Sequence, residues 1–263
     1  MIDLISPAKV NLSLRIIKKR EDGFHELSSL FQTIDLCDHL KITPSKYDCF
    51  TTNSLQIPCD SSNLIIKALH LFRNEIGINQ CYHINLQKTI PIQAGLGGGS
   101  SNAATTLWGL NKLNGSIIST EKLMQMGAQL GSDVPFFFSH GTAHCTGRGD
   151  VVKDVDPICL EKPLWLVKPL EGLSTKEIYN ALDLSKCSEI DQLFANDLES
   201  AAFSVRPSLL NLKNTLQKLY TRVVMSGSGT AFICEGEHVL GSRVDFLNRD
   251  IGQWYKKDSI TKR

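Results

Sequence analysis

The sequence has almost no excess charge: 28 Lys and Arg stand against 27 Asp and Glu, a formal net charge of +1. That balance argues against a dedicated binder of nucleic acid or of a membrane surface, because both need a broad basic face. No run of about 18 apolar residues occurs, so no membrane-spanning helix is expected. Met1 to Pro7 contain neither a basic segment nor a long apolar one, and no secretory leader is expected. Eight cysteines lie singly along the chain, and no two have C-x-x-C spacing. Zinc and redox sites of that pattern are thereby excluded, and reduced, mostly packed thiols in a cytoplasmic protein are expected. Internal repeats and low-complexity tracts are absent as well.

What remains is a chain of 263 residues, 42% of them hydrophobic, long enough for one large domain or two smaller ones. From Ala8 to Ile17 apolar and polar residues alternate, with Val10, Leu12 and Leu14 on one expected face and Lys9, Asn11 and Ser13 on the other. Further strands are expected over 24–36, 40–43 and 83–87. Ser61-Ser62-Asn63 offers cap chemistry for a helix carrying Leu64, Ile65, Ala68, Leu69, Phe72 and Ile76, with Gly77 as its stop. Thr120 is the expected cap of another helix, ending at Gly131. Asp154 to Pro163 lacks periodicity and contains two prolines. It divides the chain into an expected first unit, 1–155, and a second, 160–263. The second begins with a strand at Leu164 to Val167, continues through helical patterns over 176–182, 190–203 and 207–219, and closes with a strand–glycine loop–strand unit, 222–234. Strands and helices mixed in this way favour an α+β or α/β class.

The most informative segment is Pro91-Ile92-Gln93-Ala94-Gly95-Leu96-Gly97-Gly98-Gly99-Ser100-Ser101-Asn102. Four glycines in five residues let backbone amides approach a ligand closely. Ser100, Ser101 and Asn102 can each cap the helix that opens here, and a helix N-terminus favours anions. The loop suits a polyphosphate, and the Ser100 or Ser101 hydroxyl suits a phosphate-bound Mg²⁺. It is not a Walker A sequence, since no Gly-Lys-Ser/Thr follows, and Ser100 replaces the last glycine of G-x-G-x-x-G. His140 and His144 stand four apart without the Glu of a zinc helix, so no metal residues are expected there. Arg148-Gly149-Asp150 reads as a turn before a strand.

Six blocks in order carry a resemblance: Ser6-Pro7-Ala8-Lys9-Val10-Asn11-Leu12, Asp22-Gly23-Phe24-His25-Glu26-Leu27, the Gly95–Ala104 loop, Gly131-Ser132-Asp133-Val134-Pro135, Gly147-Arg148-Gly149-Asp150, and Met225-Ser226-Gly227-Ser228-Gly229-Thr230. On these blocks the chain resembles the GHMP kinase superfamily of small-molecule kinases. Within it, the Lys9–Asn11 and Asp22–Leu27 blocks are similar to the branch acting on a cytidylyl methylerythritol. The resemblance implies an α+β fold of two units, the first like the second domain of ribosomal protein S5 and the second ferredoxin-like. It further implies transfer of the γ-phosphoryl group of ATP, with Mg²⁺ assisting, to the 2-hydroxyl of a small molecule carrying a cytidine diphosphate group, in non-mevalonate isoprenoid precursor synthesis. No nucleic acid, membrane or obligatory protein partner is implied. By the same resemblance Asp133 and Lys9 are catalytic, Pro91 to Ser101 hold the nucleotide, and Asn11, Phe24, His25, Thr175 and Tyr179 meet the substrate. Phe24 replaces the family's usual tyrosine and keeps its stacking surface. In a regular strand Phe24 and His25 would face opposite ways, so both reach one ligand only if the Gly23 turn distorts the strand start or if His25 contributes through its backbone. Rival readings are another GHMP kinase, acting on homoserine, mevalonate or a sugar, and a non-catalytic nucleotide- or RNA-binding protein.

Overall fold

The computed structural model describes residues 1–189, 191–250 and 254–255. The alternation around Val10 lies within a longer strand, β1 (Ile2–Lys19), and the two runs expected after it fuse into one, β2 (His25–Ser45). They fuse because the intervening residues keep pairing with β1: Cys37 lies opposite Pro7, Asp38 opposite Ser6 and His39 opposite Ile5. A register shift between Asn11 and Ser13 breaks the expected apolar stripe. Val10 and Leu12 stay in one core cluster, whereas Leu14 turns into another.

β3 (Cys49–Thr52), β4 (Cys81–Gln87), β5 (Thr142–Thr146) and β6 (Val151–Asp154) complete the first unit's part of this sheet. β2 pairs with β1, β4 and β5, and β3 and β6 lie outside β4 and β5. α1 (Leu64–Ile76), α2 (Gly98–Leu113) and α3 (Thr120–Leu130) pack against the sheet residues in a shared core. α1 starts where expected, with Asn63 Oδ1 accepting the Ile65 amide at 2.9 Å, and ends at left-handed Gly77. α3 is capped by Ser119, whose hydroxyl accepts the Lys122 amide at 3.3 Å. Thr120 is therefore the first helical residue and not the cap. α2 lies so close to the sheet that a Cβ at Gly109 would stand 2.8 Å from Ile42 Cδ1.

The second unit's strands are β7 (Leu164–Val167), β8 (Ala195–Asn196), β9 (Arg222–Met225), β10 (Phe232–Glu235) and β11 (Ser242–Val244). Four of them form a second sheet in the order β11-β7-β10-β9, antiparallel throughout. α4 (Thr175–Asn180), α5 (Leu198–Val205) and α6 (Pro207–Leu216) accompany it. The helix expected over 190–203 is shorter, because Ala195–Asn196 extends as β8 and pairs in parallel with Ser13 and Leu14 of β1. Ile190 lies outside the described residues, as do the last eight, 256–263. Beyond β11, Trp254 returns to the first unit and stacks on Trp108, ring centroids 5.1 Å apart.

The two sheets share a core. Val10, Leu12, Ile90 and Leu96 from one side meet Leu166, Val224 and Ile233 from the other. Full burial of side chains this size contributes roughly 1.5–3 kcal/mol each, so the shared core sets the spacing between the units and the width of the cleft between them. Gly109→Val tests the close approach of α2. Overpacking is expected to cost about 1–3 kcal/mol, read as a lower urea midpoint at unchanged slope. An unchanged midpoint would contradict the packing described.

Candidate active site

A cleft of about 1190 Å³ opens between the two units and reaches from Ile57 and Pro58 ahead of α1 to Tyr179 of α4. The glycine-rich loop runs along it, and residues 91–100 border it. Ala94 and Leu96 do so with backbone, since their side chains belong to the shared core. Gly95 and Gly97 take φ of 74° and 65°, a region costly for other residues. A Cβ at Gly95 would overlap the Ser226 carbonyl oxygen, and one at Gly97 would sit 2.8 Å from Lys9 Cγ. Left-handed Gly97 is itself the N-cap of α2 and provides no side-chain cap. The expected caps lie inside the helix instead. Ser101 turns away: its hydroxyl bonds Ser6 Oγ at 2.8 Å and its amide donates to the Gly97 carbonyl at 2.9 Å. Ser101 does not border the cleft, whereas Ser100 does. The first-turn amides of α2 lack helical acceptors. Asn102 Oδ1, in a residue only 3% exposed, has no hydrogen-bond partner. An uncapped helix start and a cradle that a Cβ would fill fit a bound polyphosphate, whereas the Asn102 oxygen, an acceptor, suits a cation or a donor beside it.

Lys9 and Asn11 project from the same side of β1, as their spacing required. Lys9 Nζ donates to Asn11 Oδ1 at 2.6 Å and lies 3.3 Å from Asp133 Oδ2. The Lys9 side chain is 4% exposed and that of Asp133 33%. Beneath the ammonium lies the Phe31 ring, 4.5 Å from Nζ to centroid. The second Asn11 function is also engaged, Nδ2 donating to Ser29 Oγ at 2.9 Å. Asp133 sits in the turn after α3. Its neighbour Val134 is fully buried and fills a notch at Gly127, where a Cβ would come within 2.8 Å of Val134 Cγ1. That packing fixes the carboxylate at the cleft, half-open toward whatever binds there.

At the other end, Phe24, His25, Thr175 and Tyr179 border the same cleft. The geometric difficulty with Phe24 and His25 disappears because β2 begins only at His25. Phe24 belongs to the preceding turn, in which Arg20 N donates to the Phe24 carbonyl at 2.8 Å and Phe24 N to Asp22 Oδ1 at 3.1 Å. The Phe24 ring is half exposed and carries the Arg148 guanidinium 4.9 Å from its centroid. His25 packs on Tyr179, ring centroids 5.1 Å apart. Burial, with the Lys19 charge second, lowers the pKa of His25, which favours an uncharged ring at neutral pH. Burial, with the Asp133 charge second, pushes the Tyr179 phenol up. Thr175 Oγ1 bonds Ser228 Oγ at 2.8 Å, tying α4 to the second glycine loop.

Beyond Lys9, sequence reasoning missed the charge of the cleft. Lys9, Lys19, Lys88, Arg148 and Lys176 border the cleft against one carboxylate, Asp133. Burial lowers the Lys88 ammonium, against the pull of Asp38 at 2.7 Å. Arg148 was legible only as a turn, since its approach to Phe24 spans more than a hundred residues of chain.

The GHMP kinases N terminal domain family matches residues 63–141, the segment from the α1 cap through α2 and Asp133. The chain is 48% identical to 4-diphosphocytidyl-2-C-methyl-D-erythritol kinase of Protochlamydia amoebophila, over 97% of this chain and 93% of that protein. It belongs to the 4-diphosphocytidyl-2-C-methyl-D-erythritol kinase family. The chloroplastic kinase of that name from Arabidopsis thaliana is 44% identical, over 97% of this chain and 76% of the relative. A crystal structure of 4-(cytidine 5'-diphospho)-2C-methyl-D-erythritol kinase superposes with a TM-score of 0.76 at 32% identity, covering 90% of each chain. The α+β fold is therefore that of a GHMP kinase, and the chain is an ATP-dependent small-molecule kinase. The cradle at Gly95 gives this kinase a sharp test. Gly95→Ala is expected to weaken nucleotide binding at least tenfold and to lower the melting temperature by several degrees. Wild-type values for both would show that the Gly95–Ser226 approach is not needed.

Proposed function

We propose that the chain transfers the γ-phosphoryl group of ATP to the 2-hydroxyl of 4-diphosphocytidyl-2-C-methyl-D-erythritol, releasing ADP, in non-mevalonate isoprenoid precursor synthesis. The observation that carries this reading is a single cleft with the glycine loop, the Lys9–Asn11–Asp133 group and the Phe24, His25 and Tyr179 rings along its length.

Asp133 is the base. An alcohol is a weak nucleophile at neutral pH, and a carboxylate within hydrogen-bond reach gains typically ~10²–10⁴ in rate by taking its proton. The substrate oxygen attacks the γ-phosphorus, its proton passes to an Asp133 oxygen, and the bond to the β-phosphate oxygen breaks to leave ADP. Lys9, 3.3 Å away, orients the carboxylate and shares the charge of the transferring group. Asn11 holds Lys9 in place. The loop amides and the start of α2 hold the phosphates, and Lys88 and Arg148 add positive charge at the cleft walls. The uncharged His25 ring and the Phe24 and Tyr179 faces suit a neutral pyrimidine, for which stacking is worth about 1–3 kcal/mol per base.

Among the described residues no group of three His, Cys, Asp or Glu is placed to hold a metal. Mg²⁺ typically binds through one or two protein oxygens plus substrate phosphates. Ser100 Oγ and Asn102 Oδ1, both on residues that border the cleft at the start of α2, are two oxygens that would hold it. When bound there, the ion would neutralise phosphate charge. A reducing, cytoplasmic setting belongs to the same proposal, supported by eight cysteines that are all free thiols.

The test is ADP release from Mg·ATP with the cytidylyl substrate, homoserine, mevalonate and galactose in parallel. Turnover is expected with the cytidylyl compound alone. Turnover of one of the others alone would replace this substrate, and silence with all four would favour a nucleotide-binding protein without transfer activity.

A further inference from the structure

We infer that Asn196 is a positioning residue for the transfer step, holding residues 226–229 against the Lys9–Asn11 pair and the phosphate loop. The inference rests on the kinase reading above and concerns a residue outside every motif that suggested it. Asn196 lies on the two-residue strand β8, which joins the edge of β1 beside Leu14. It is 7% exposed, and both side-chain polar atoms are engaged. Nδ2 donates to the Met225 and Gly227 carbonyls, both at 2.7 Å, and Oδ1 accepts the Leu198 amide at 2.9 Å. The two carbonyls flank Ser226, so one amide group fixes the backbone on both sides of that residue.

Ser226 is where the two glycine loops meet. Its hydroxyl donates to the Gly95 carbonyl at 3.0 Å and accepts the Asn11 amide at 3.2 Å. Gly227 follows at φ 55°, so close that a Cβ would lie 3.2 Å from Asn11 Oδ1 and 3.5 Å from Lys9 Nζ. The β9–β10 ladder ends at Met225 opposite Phe232. Beyond it the loop is braced by Ser226 N to the Ala231 carbonyl at 2.8 Å and Gly229 N to the Ser226 carbonyl at 2.9 Å. Those two contacts stay within the second unit, whereas the Ser226 hydroxyl and Ala231 N, which donates to the Ala94 carbonyl at 3.1 Å, reach the first. Asn196 adds a further tie, because its own strand is paired with β1. It therefore ties the loop to the same strand that carries Lys9 and Asn11, and a misplacement of about 1 Å at a transfer site can cost ~10²-fold in rate.

Asn196→Asp tests this, since a carboxylate cannot donate to two carbonyls and repels both. Steady-state constants for both substrates, the affinity for a non-hydrolysable ATP analogue and the melting temperature are measured together. kcat is expected to fall about 10–100-fold, and the KM for ATP and the analogue Kd to rise about tenfold. The KM for the cytidylyl substrate is expected to stay within twofold, because Phe24, His25 and Tyr179 are untouched. A merely structural role would reduce the amount of active enzyme and leave both KM values alone. Ser226→Ala is expected to raise the KM for ATP in the same way and to add little in the Asn196→Asp background, as sites acting through one loop do. Unchanged nucleotide affinity in Asn196→Asp, or fully multiplicative effects of the two changes, would overturn the inference. If Asn196→Asp does not fold, Ser226→Ala alone decides, and a selective rise in the KM for ATP is required. Failure of the wild type to phosphorylate the cytidylyl substrate would instead refute the functional reading, while the analogue affinities still test Asn196.

Discussion

A lysine ammonium held almost completely out of water is the constraint around which this structure is built. An unpaired charge there would be prohibitively costly. Lys9 meets the need with three neighbours: the Asn11 amide oxygen, the Asp133 carboxylate and the face of Phe31. Each comes from a different part of the fold. Asn11 needs the β1 backbone to keep its register up to the shift before Ser13. Asp133 needs Val134 seated at Gly127, and Phe31 comes from β2 directly opposite Asn11. Gly97 leaves room for the Lys9 stem, and the Leu96 carbonyl accepts the Lys9 amide at 2.9 Å. The charge proposed to serve phosphoryl transfer thus also lies where the phosphate loop, α3 and the central sheet meet.

The near-zero net charge takes on a different meaning once the chain is folded. The loop amides, the start of α2 and Lys9 are part of what can attract an anionic ligand to the cleft. The fold adds Lys19, Lys88, Arg148 and Lys176 along the same cleft. Acidic partners draw part of this charge back into structure. Asp38 is fully buried, pairs with Lys88 and accepts the Thr89 and Ile90 amides at 2.7 and 2.8 Å. Asp150 bonds Arg148 at 2.8 Å. The cleft is basic and the molecule neutral because folding sorts the charges by position.

Features set by neighbours in sequence were legible beforehand. The Asn63 cap, the Gly77 stop, the period-2 face of Lys9 and Asn11 and the glycine loop all follow from local chemistry. Features set by distant partners were not. β2 runs unbroken because β1 keeps pairing with it, and β8 exists only because the β1 edge accepts it. Ser101 looked like a cap or metal hydroxyl, but Ser6, on a strand 95 residues away, takes it. Leu14 left its stripe through a bulge that no local pattern announced. Arg148 and Asn196 matter through contacts that only the folded chain creates.

The Lys9–Asp133 unit is tested most directly by a double-mutant cycle in kcat/KM, using Lys9→Met, Asp133→Asn and the two together. Each single change is expected to cost at least ~10²-fold, with the pair costing little more than the worse of the two, as groups acting as one unit do. Losses that multiply would show two independent roles and contradict the shared one.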